Sequence, residues 1–583
     1  MSIPQTPTSR RDILIFIGVT LLLARLYLSI TDLYLIGFEL DDGYYYLGAK
    51  ALAMGLGYHM PFFPGQPALV KYPPGLSCLL APFIYMLPSF TAHAPLLKII
   101  NLSIAALSTG MFSVWASQQL AANWPDKKYL LLPFSFLGIG LLGLNPAWMN
   151  VATELLSEPL FCLISTVILW LSTVPPHELS RQKRHGAMLF FSLLLCYIRS
   201  FGLVMGLALS IWHWKEGRPK WSIATLLGIG LCILPWVCWG SAHPPTDIMD
   251  GTVLYRSFNE SYAHSIVMDL TNEYSPLGLF TSGLSALIQY IAVSFFPFLK
   301  TLPEKFLLLV GFPLGLFFFY QLGKACLQKA SPQKGFPLYQ LYLLSYLLIL
   351  PWWSFHQQYE RFLLPLLPLL WVFLFAYVWQ STQTAWKKVG LSLLCLLLLV
   401  NAACYGQHFF EKLSHKQQGG DPLTQSLAGG TNPQNPRIWD EFQSIVEVVR
   451  KRTKPNDWIW TTELPLPTAI YAERPVWDYF SLIPHPPLTS IGKTSSGKTS
   501  TAQIQLVVNQ MLDTLADSQW RQIRQRAFRY VLLAPEIKGG QITAATDPIT
   551  QHLLRRHGQH FQLLECSKPA GSFCLLRINQ AAK

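Results

Sequence analysis

The chain has 583 residues, of which 51% are hydrophobic and only 13% charged. Soluble domains carry roughly 25% charged residues, so the composition excludes an ordinary soluble enzyme and points to a polytopic membrane protein. The formal charge of +13 does not indicate nucleic acid, because the basic residues near apolar stretches gather in a few short loops, as an orientation signal does.

Arg10 and Arg11 precede an apolar stretch at 13–33 with no small-residue cleavage site after it, which reads as a retained signal-anchor helix. Further stretches of spanning length lie near 98–120, 129–148, 158–174, 219–240, 305–323, 336–353, 361–379 and 386–406. Residues 73–90 are apolar but short and proline-rich, and 186–214 is too long for one pass and carries Arg199 in its middle. The basic loops at 10–11, 125–128, 180–185, 215–220, 323–334 and 387–388 share one side only if 73–90 does not cross and 186–214 makes a two-pass hairpin. That arrangement predicts a mainly α helical bundle with about eleven crossings, an estimate from span counting. The Asp41–Lys71 loop, the 149–157 turn, the 241–303 loop and everything from 407 onward then face the extracytoplasmic side.

From His408 the composition turns polar and rich in Gly, Pro and Gln. The expected organisation is a membrane domain over 1–406 with its first outer loop at 38–97, a linker over 407–436, and a small extracytoplasmic α/β domain over 437–583. In the last, WDEFQSIVEVVRKRT and QIQLVVNQMLDTLADSQWRQI have helical spacing, and WIWTT, RYVLLAP and FCLLRI read as strands. Eight of the ten cysteines sit in or beside apolar spans. Cys566 and Cys574 flank a turn-like SKPAGSF; they can pair in an oxidising compartment or remain two free strand cysteines.

GKTSSGKT at 492–499 satisfies the phosphate-loop pattern letter for letter. The segment before it, SLIPHPPLTSI, is proline-broken and cannot be the buried strand that motif requires, so a flexible loop is the simpler account. His552, His557 and His560 cluster without metal-ligand spacing and read as a solvated helix face.

Two adjacent carboxylates, Asp41 and Asp42, open FELDDGYYYLGAKALAMG just past the first span, and KYPPG (Lys71 to Gly75) follows. Taken alone, the pair reads as helix N-terminal carboxylates matched to the helix dipole. In an apolar, aromatic setting a carboxylate can also serve as a general base. Downstream, ATELLSEPLFCLI carries Glu154 and Glu158, YIRSFGL carries Arg199, and YERFLLPLLPLLW carries Arg361. Each has a structural alternative: Glu158 as an N-terminal carboxylate of the next span, Arg199 as a hydrogen-bonding group of the bundle, Arg361 as a partner of Glu360 or a snorkelling side chain.

The order of one span, an acidic pair, a Tyr-rich helix and then K-Y-P-P resembles the first outer loop of the GT-C membrane glycosyltransferases. The branch it is most similar to contains the protein O-mannosyltransferases and the lipid A aminoarabinose transferases. The later elements at 152–164, 197–203 and 359–371 resemble that family's second outer turn, split-helix Arg and late Arg-Pro element, so the likeness spans roughly residues 10–405. One departure is Asp42, where the family often has Glu; it leaves open which carboxylate is the base and whether a divalent cation bridges the pair.

The resemblance implies an inverting transfer of a sugar from a polyprenyl-phosphate donor to a protein, lipid or glycan acceptor outside the cytoplasm, in a bacterial inner or plasma membrane. Asp41 and Asp42 are then the catalytic candidates. Arg361 is the first candidate for the departing phosphate, followed by Lys71 and Tyr72, since guanidinium holds phosphate at two points. Glu158, Glu154 and Arg199 are further candidates. No nicotinamide, flavin or nucleotide is implied. The rival class is a secondary transporter or lipid flippase, to which broken helices and intramembrane Arg also belong, though no internal repeat is visible.

Overall fold

The computed structural model describes residues 10–37, 41–63, 66–123, 143–174, 180–243, 275–296, 299, 303–327, 337–353, 358–380, 384–417, 438–461, 465–478, 513, 516–517, 520–521, 523, 528–533, 536–538, 541–543, 548–567 and 573–579. The phosphate-loop-like segment, most of the 129–148 stretch and most of the helix expected near 503–523 lie outside the described residues.

The chain is mainly helical, as apolar segments must be when only their own backbone can satisfy their N–H and C=O groups. Helix α1 (Arg10–Ile30) packs along the long α4 (Phe90–Asn123), and Gly110 permits the approach: a Cβ there would lie 3.1 Å from the Phe16 ring. Between them come α2 (Asp41–Ala53) and α3 (Gly75–Met86). With 12 residues α3 is about 18 Å long, well short of the roughly 30 Å of a bilayer core. Helices α5 (Pro146–Thr153) and α6 (Glu158–Thr173) meet at a bend of 108°. Helices α7 (Arg181–Ile198) and α8 (Gly202–Lys215) form the hairpin read from 186–214, broken at Arg199–Phe201, and α9 (Pro219–Ala242) packs against both.

The segment at 241–303 differs from the expected loop. It holds α10 (Pro276–Phe295), 20 residues long and apolar enough to cross a membrane. Thr281, Ser282, Ser285, Gln289 and Ser294 dilute its hydropathy, which hid it. It packs on α11 (Glu304–Leu327), with Gly311 against the Ile288 carbonyl. Helix α12 (Leu338–Ile349) ends in a 3-10 turn at Leu350–Trp352. The stretch at 361–379 is two pieces, α13 (Tyr359–Leu363) and α14 (Leu367–Gln380), separated around Pro365, whose ring cannot continue a helix hydrogen-bond ladder. Among the described residues, five helices are long and apolar enough to cross a membrane, or six when the bent pair α5–α6 is counted as one span.

Helix α15 (Thr384–Gln417) runs past the start of the expected linker. Its polar end is held by Gln407 and His408, which both meet Glu411, and by Lys412, which donates to Asn150 Oδ1 at 2.6 Å.

After it come α16 (Ile438–Arg452), β1 (Ile459–Thr461), α17 (Pro465–Ala472), β2 (Val476–Asp478) and β3 (Tyr530–Leu533). Then follow a two-stranded pair, β4 (Glu536–Lys538) and β5 (Gln541–Thr543), with α18 (Pro548–His557), β6 (Phe561–Cys566) and β7 (Cys574–Ile578). The five-stranded sheet has the order β2-β1-β3-β7-β6, parallel from β2 to β3 and antiparallel beyond. Cys566 and Cys574 face each other across β6 and β7 and are disulfide-bonded. His552 and His557 hold Asp513 and Asp517, and Trp520 stacks on His557 and His560.

The sheet's helices share one apolar core with α2 and the segment that follows it, in which Phe442, Ile445 and Ile470 pack with Tyr44, Tyr46 and Leu69. Polar contacts fix the register. The Tyr471 hydroxyl accepts from the Ile36 N–H at 2.9 Å and donates to the Tyr34 carbonyl. Lys50 pairs with Glu473 at 2.7 Å, and the Val476 N–H donates to the Phe62 carbonyl at 3.1 Å. Gly37, at φ +94°, sits so close to the Ile470 side chain that an added Cβ would be 2.6 Å from it.

Candidate active site

Helix α2 starts at the acidic pair, and almost every residue of its first three turns is buried. An α-helix turns about 100° per residue, so the two neighbouring aspartates point in different directions. Asp42 is fully buried and works on the backbone: Oδ2 accepts from the Gly37 N–H at 2.7 Å and Oδ1 from the Gly43 N–H at 2.8 Å. Asp41 faces a cavity. Its Oδ1 accepts from the Tyr72 hydroxyl at 2.7 Å, and its Oδ2 accepts from Arg361 Nη1 at 2.9 Å.

Arg361, on the short α13, is the hub. Besides Asp41 it reaches Glu158, through Nε at 2.9 Å and Nη2 at 2.6 Å. Its partners are these two carboxylates, far away in sequence, where the sequence offered the adjacent Glu360. Glu158 opens α6 and is 1% exposed at its side chain, which Arg199 Nη1 also holds at 2.7 Å. Its other oxygen, Oε2, has no hydrogen-bond partner among the described residues. Arg199 stands at the break between α7 and α8, lies over the Phe362 ring at 5.0 Å, and donates to the Ser157 hydroxyl at 3.2 Å. Ser157 in turn meets the Tyr45 hydroxyl at 2.8 Å. Burial pushes the Tyr45 phenol well above its ordinary pKa, so it remains protonated and able to donate.

Two carboxylates and two guanidinium groups thus alternate in a row, Asp41–Arg361–Glu158–Arg199, with no net charge. A small cleft opens beside them, lined by Asp41, Tyr45, Tyr72, Pro73, Arg199, Ser200, Phe201, Trp353, Gln358 and Phe362. The KYPPG element reaches it through Tyr72 and Pro73. Tyr72 stacks on Tyr44 with ring centroids 5.5 Å apart, and Gly75 lets α3 lie against the Tyr197 carbonyl, where a Cβ would be 2.6 Å away.

The other sequence candidates sit elsewhere. Lys71 is 5% exposed and does not line the cavity. Glu154 pairs at 2.6 Å with Lys98, a lysine only 1% exposed, which also donates to the Thr153 carbonyl at 3.0 Å. With Asn101, whose amide reaches the Val151, Ala152 and Glu154 carbonyls, Lys98 pins the turn from which Ser157 and Glu158 project. Among the described residues no group of three or more His, Cys, Asp or Glu is arranged to hold a metal. Asp41 and Asp42 do not converge, so the donor set for a cation bridging that pair is not assembled.

Sequence reasoning missed Ser157, Tyr45, Trp353 and Gln358, which line or support the cavity. Lys98 carried a usable signal, a charge inside an apolar stretch.

No protein-family model matches the chain, and no curated protein matches it. Among the solved structures that resemble it loosely are two crystal structures. One is described as the crystal structure of ArnT from Cupriavidus metallidurans bound to undecaprenyl phosphate: 12% identity, 99% of both chains covered, TM-score 0.48. The other is the same protein in the apo state: 10% identity, 97% of both chains, TM-score 0.45. At that distance the likeness says nothing of chemistry, which is read from the site itself.

Proposed function

We propose that the chain is an integral membrane, inverting glycosyltransferase that moves a sugar from a polyprenyl-phosphate donor to an acceptor on the extracytoplasmic face. The observation that carries this reading is the row Asp41–Arg361–Glu158–Arg199 beside a cavity.

In this mechanism the acceptor's hydroxyl or amine attacks the anomeric carbon from the side of Asp41. Asp41 Oδ takes the acceptor's proton as the new bond forms. The bond from the anomeric carbon to the phosphate oxygen breaks, and its electron pair leaves with the polyprenyl phosphate. That oxygen gains negative charge, which Arg199 and Arg361 stabilise at a site shielded from bulk water. Glu158 holds both guanidinium groups at fixed spacing before the donor arrives. Tyr72 and Arg361 orient the Asp41 carboxylate. No step is routed through a metal. The domain over 437–583 covers the outer loop and contributes to acceptor choice.

The test is sugar transfer in proteoliposomes containing a polyprenyl-phosphate sugar and a membrane extract as the source of acceptor. Wild type transfers label and Asp41→Ala does not. Transfer left intact in both Asp41→Ala and Asp42→Ala would show the proposed site to be wrong.

A further inference from the structure

A second basic cluster is built into the opposite end of the same hairpin. Arg199 follows the C-terminus of α7, whereas His185 lies in its first turns, 14 positions earlier. At 1.5 Å per residue the separation is roughly 20 Å. His213 ends α8 on that far side, and the turn through Gly217, at φ +72°, brings Arg218 back to start α9.

The His185 and His213 rings lie 4.8 Å apart, with the Trp221 ring 5.4 Å from His185 and the Trp212 ring 5.0 Å from His213. The Arg218 guanidinium hydrogen-bonds His185 Nε2, and Arg184 donates to the Val174 carbonyl at 2.6 Å, closing the end of α6. Both histidines are fully buried and Arg184 is nearly so. Neither ring nitrogen of His213 has a hydrogen-bond partner among the described residues. A polar ring buried that way carries a desolvation penalty that a bound group can relieve.

The surroundings say what kind of group. Trp214 is 64% exposed beside the cluster, where a membrane-interface aromatic belongs. Ile223, Leu226 and Leu227 leave an exposed apolar strip running along α9 directly from Arg218. Cations at a helix end, followed by an apolar strip, match a phosphate headgroup with acyl chains below it.

We infer that Arg184, His185, His213 and Arg218 bind the phosphate of an anionic phospholipid whose chains lie along α9. The site stands about one bilayer leaflet or more from Asp41 and does not rest on the transferase reading.

The experiment uses the full chain in nanodiscs of equal phosphatidylglycerol and phosphatidylcholine, with retained lipid counted by native mass spectrometry. Wild type is expected to retain phosphatidylglycerol over phosphatidylcholine by roughly tenfold, and Arg218→Gln to cut that retention by about fivefold, the scale of one cation lost near a membrane surface; His213→Phe, which removes the two unpartnered ring nitrogens and no charge, also lowers it. Lys183→Gln, at an exposed basic residue on the same turn, lowers it less than Arg218→Gln does. Equal retention of the two lipids by wild type overturns the proposal, as does unchanged retention in both variants. If millimolar inorganic phosphate raises the melting temperature in phosphatidylcholine nanodiscs as much as phosphatidylglycerol does, the ligand is free phosphate and the lipid assignment fails. Should Arg218→Gln not fold, the wild-type preference and His213→Phe decide alone.

Discussion

Arg361 and Asp41 are 320 residues apart in sequence and joined by a 2.9 Å charged hydrogen bond. The contact turns an acidic loop and a short helix at the other end of the membrane domain into one site. It also separates the two aspartates, because Arg361 reaches Asp41 while Asp42 is taken by the Gly37 and Gly43 amides.

Asp41→Asn and Asp42→Asn are therefore expected to fail in different assays. Asp41→Asn should keep its melting temperature and lose about 10²-fold or more of transfer rate, the usual weight of a general base. Asp42→Asn puts an amide N–H₂ against a backbone N–H, which costs about 1–3 kcal/mol of stability. A thermal-shift series beside a transfer assay separates them.

Arg361→Lys removes the fork that spans Asp41 and Glu158 while keeping the charge. A single ammonium cannot replace three directed N–H contacts. Transfer should fall by roughly 10²-fold, whereas the fold survives because Arg199 still holds Glu158. Rates measured at saturating donor would report it; an unaltered rate would remove Arg361 from the mechanism.

Gly37→Ala tests how the sheet domain is seated. Position 37 has φ +94° and no room beside Ile470. Strain of this kind is of order 1–3 kcal/mol, and it falls on the segment that also holds Asp42. The variant should melt below wild type in a thermal-shift assay, and an unchanged melting temperature would show that the seat tolerates a Cβ at position 37.

The sheet domain should also lose stability in acid. The Arg556 hydrogen bond, burial notwithstanding, together with His557, holds the Asp517 carboxyl below its ordinary value near 3.8. A depressed carboxylate contributes stability that is present above 3.8 and fades as pH falls through its lower folded value. Asp517 is about a third exposed at its side chain, so solvent screening keeps the effect small and salt-sensitive. Asp517→Asn should flatten the melting-temperature profile below pH 4 (an approximate bound from the ordinary value), and identical profiles would remove Asp517 as the cause.

Much of the site could be read as a set of parts. The acidic start of α2, the break at Arg199 and the turn before Glu158 all carry local signals: carboxylates at a helix N-terminus, a charge in an apolar run, a proline after Glu158. Their pairing was not legible, because nothing in YERFLL says that Arg361 passes over Glu360 to reach Asp41 and Glu158. Which aspartate faces the cavity depends on where Gly37 lies, and that depends on α17, more than 400 residues away. Helix α10 was lost because five hydroxyl or amide side chains diluted its apolar face. The strands β1, β3 and β7 were legible from their β-branched and aromatic runs; β2 and β6 were not, since VWD is short and FQLLEC mixes polar and apolar residues.

The Tyr471 contact to Ile36 has a consequence for biogenesis. These residues are 435 positions apart, and at roughly 5–20 residues per second a ribosome needs on the order of 20–90 s to travel between them. Throughout that interval the segment ahead of α2 has been made and its clamp has not. A nascent chain cut short before residue 471 would display Asp41 on an unlatched loop, so only completed chains carry a latched one.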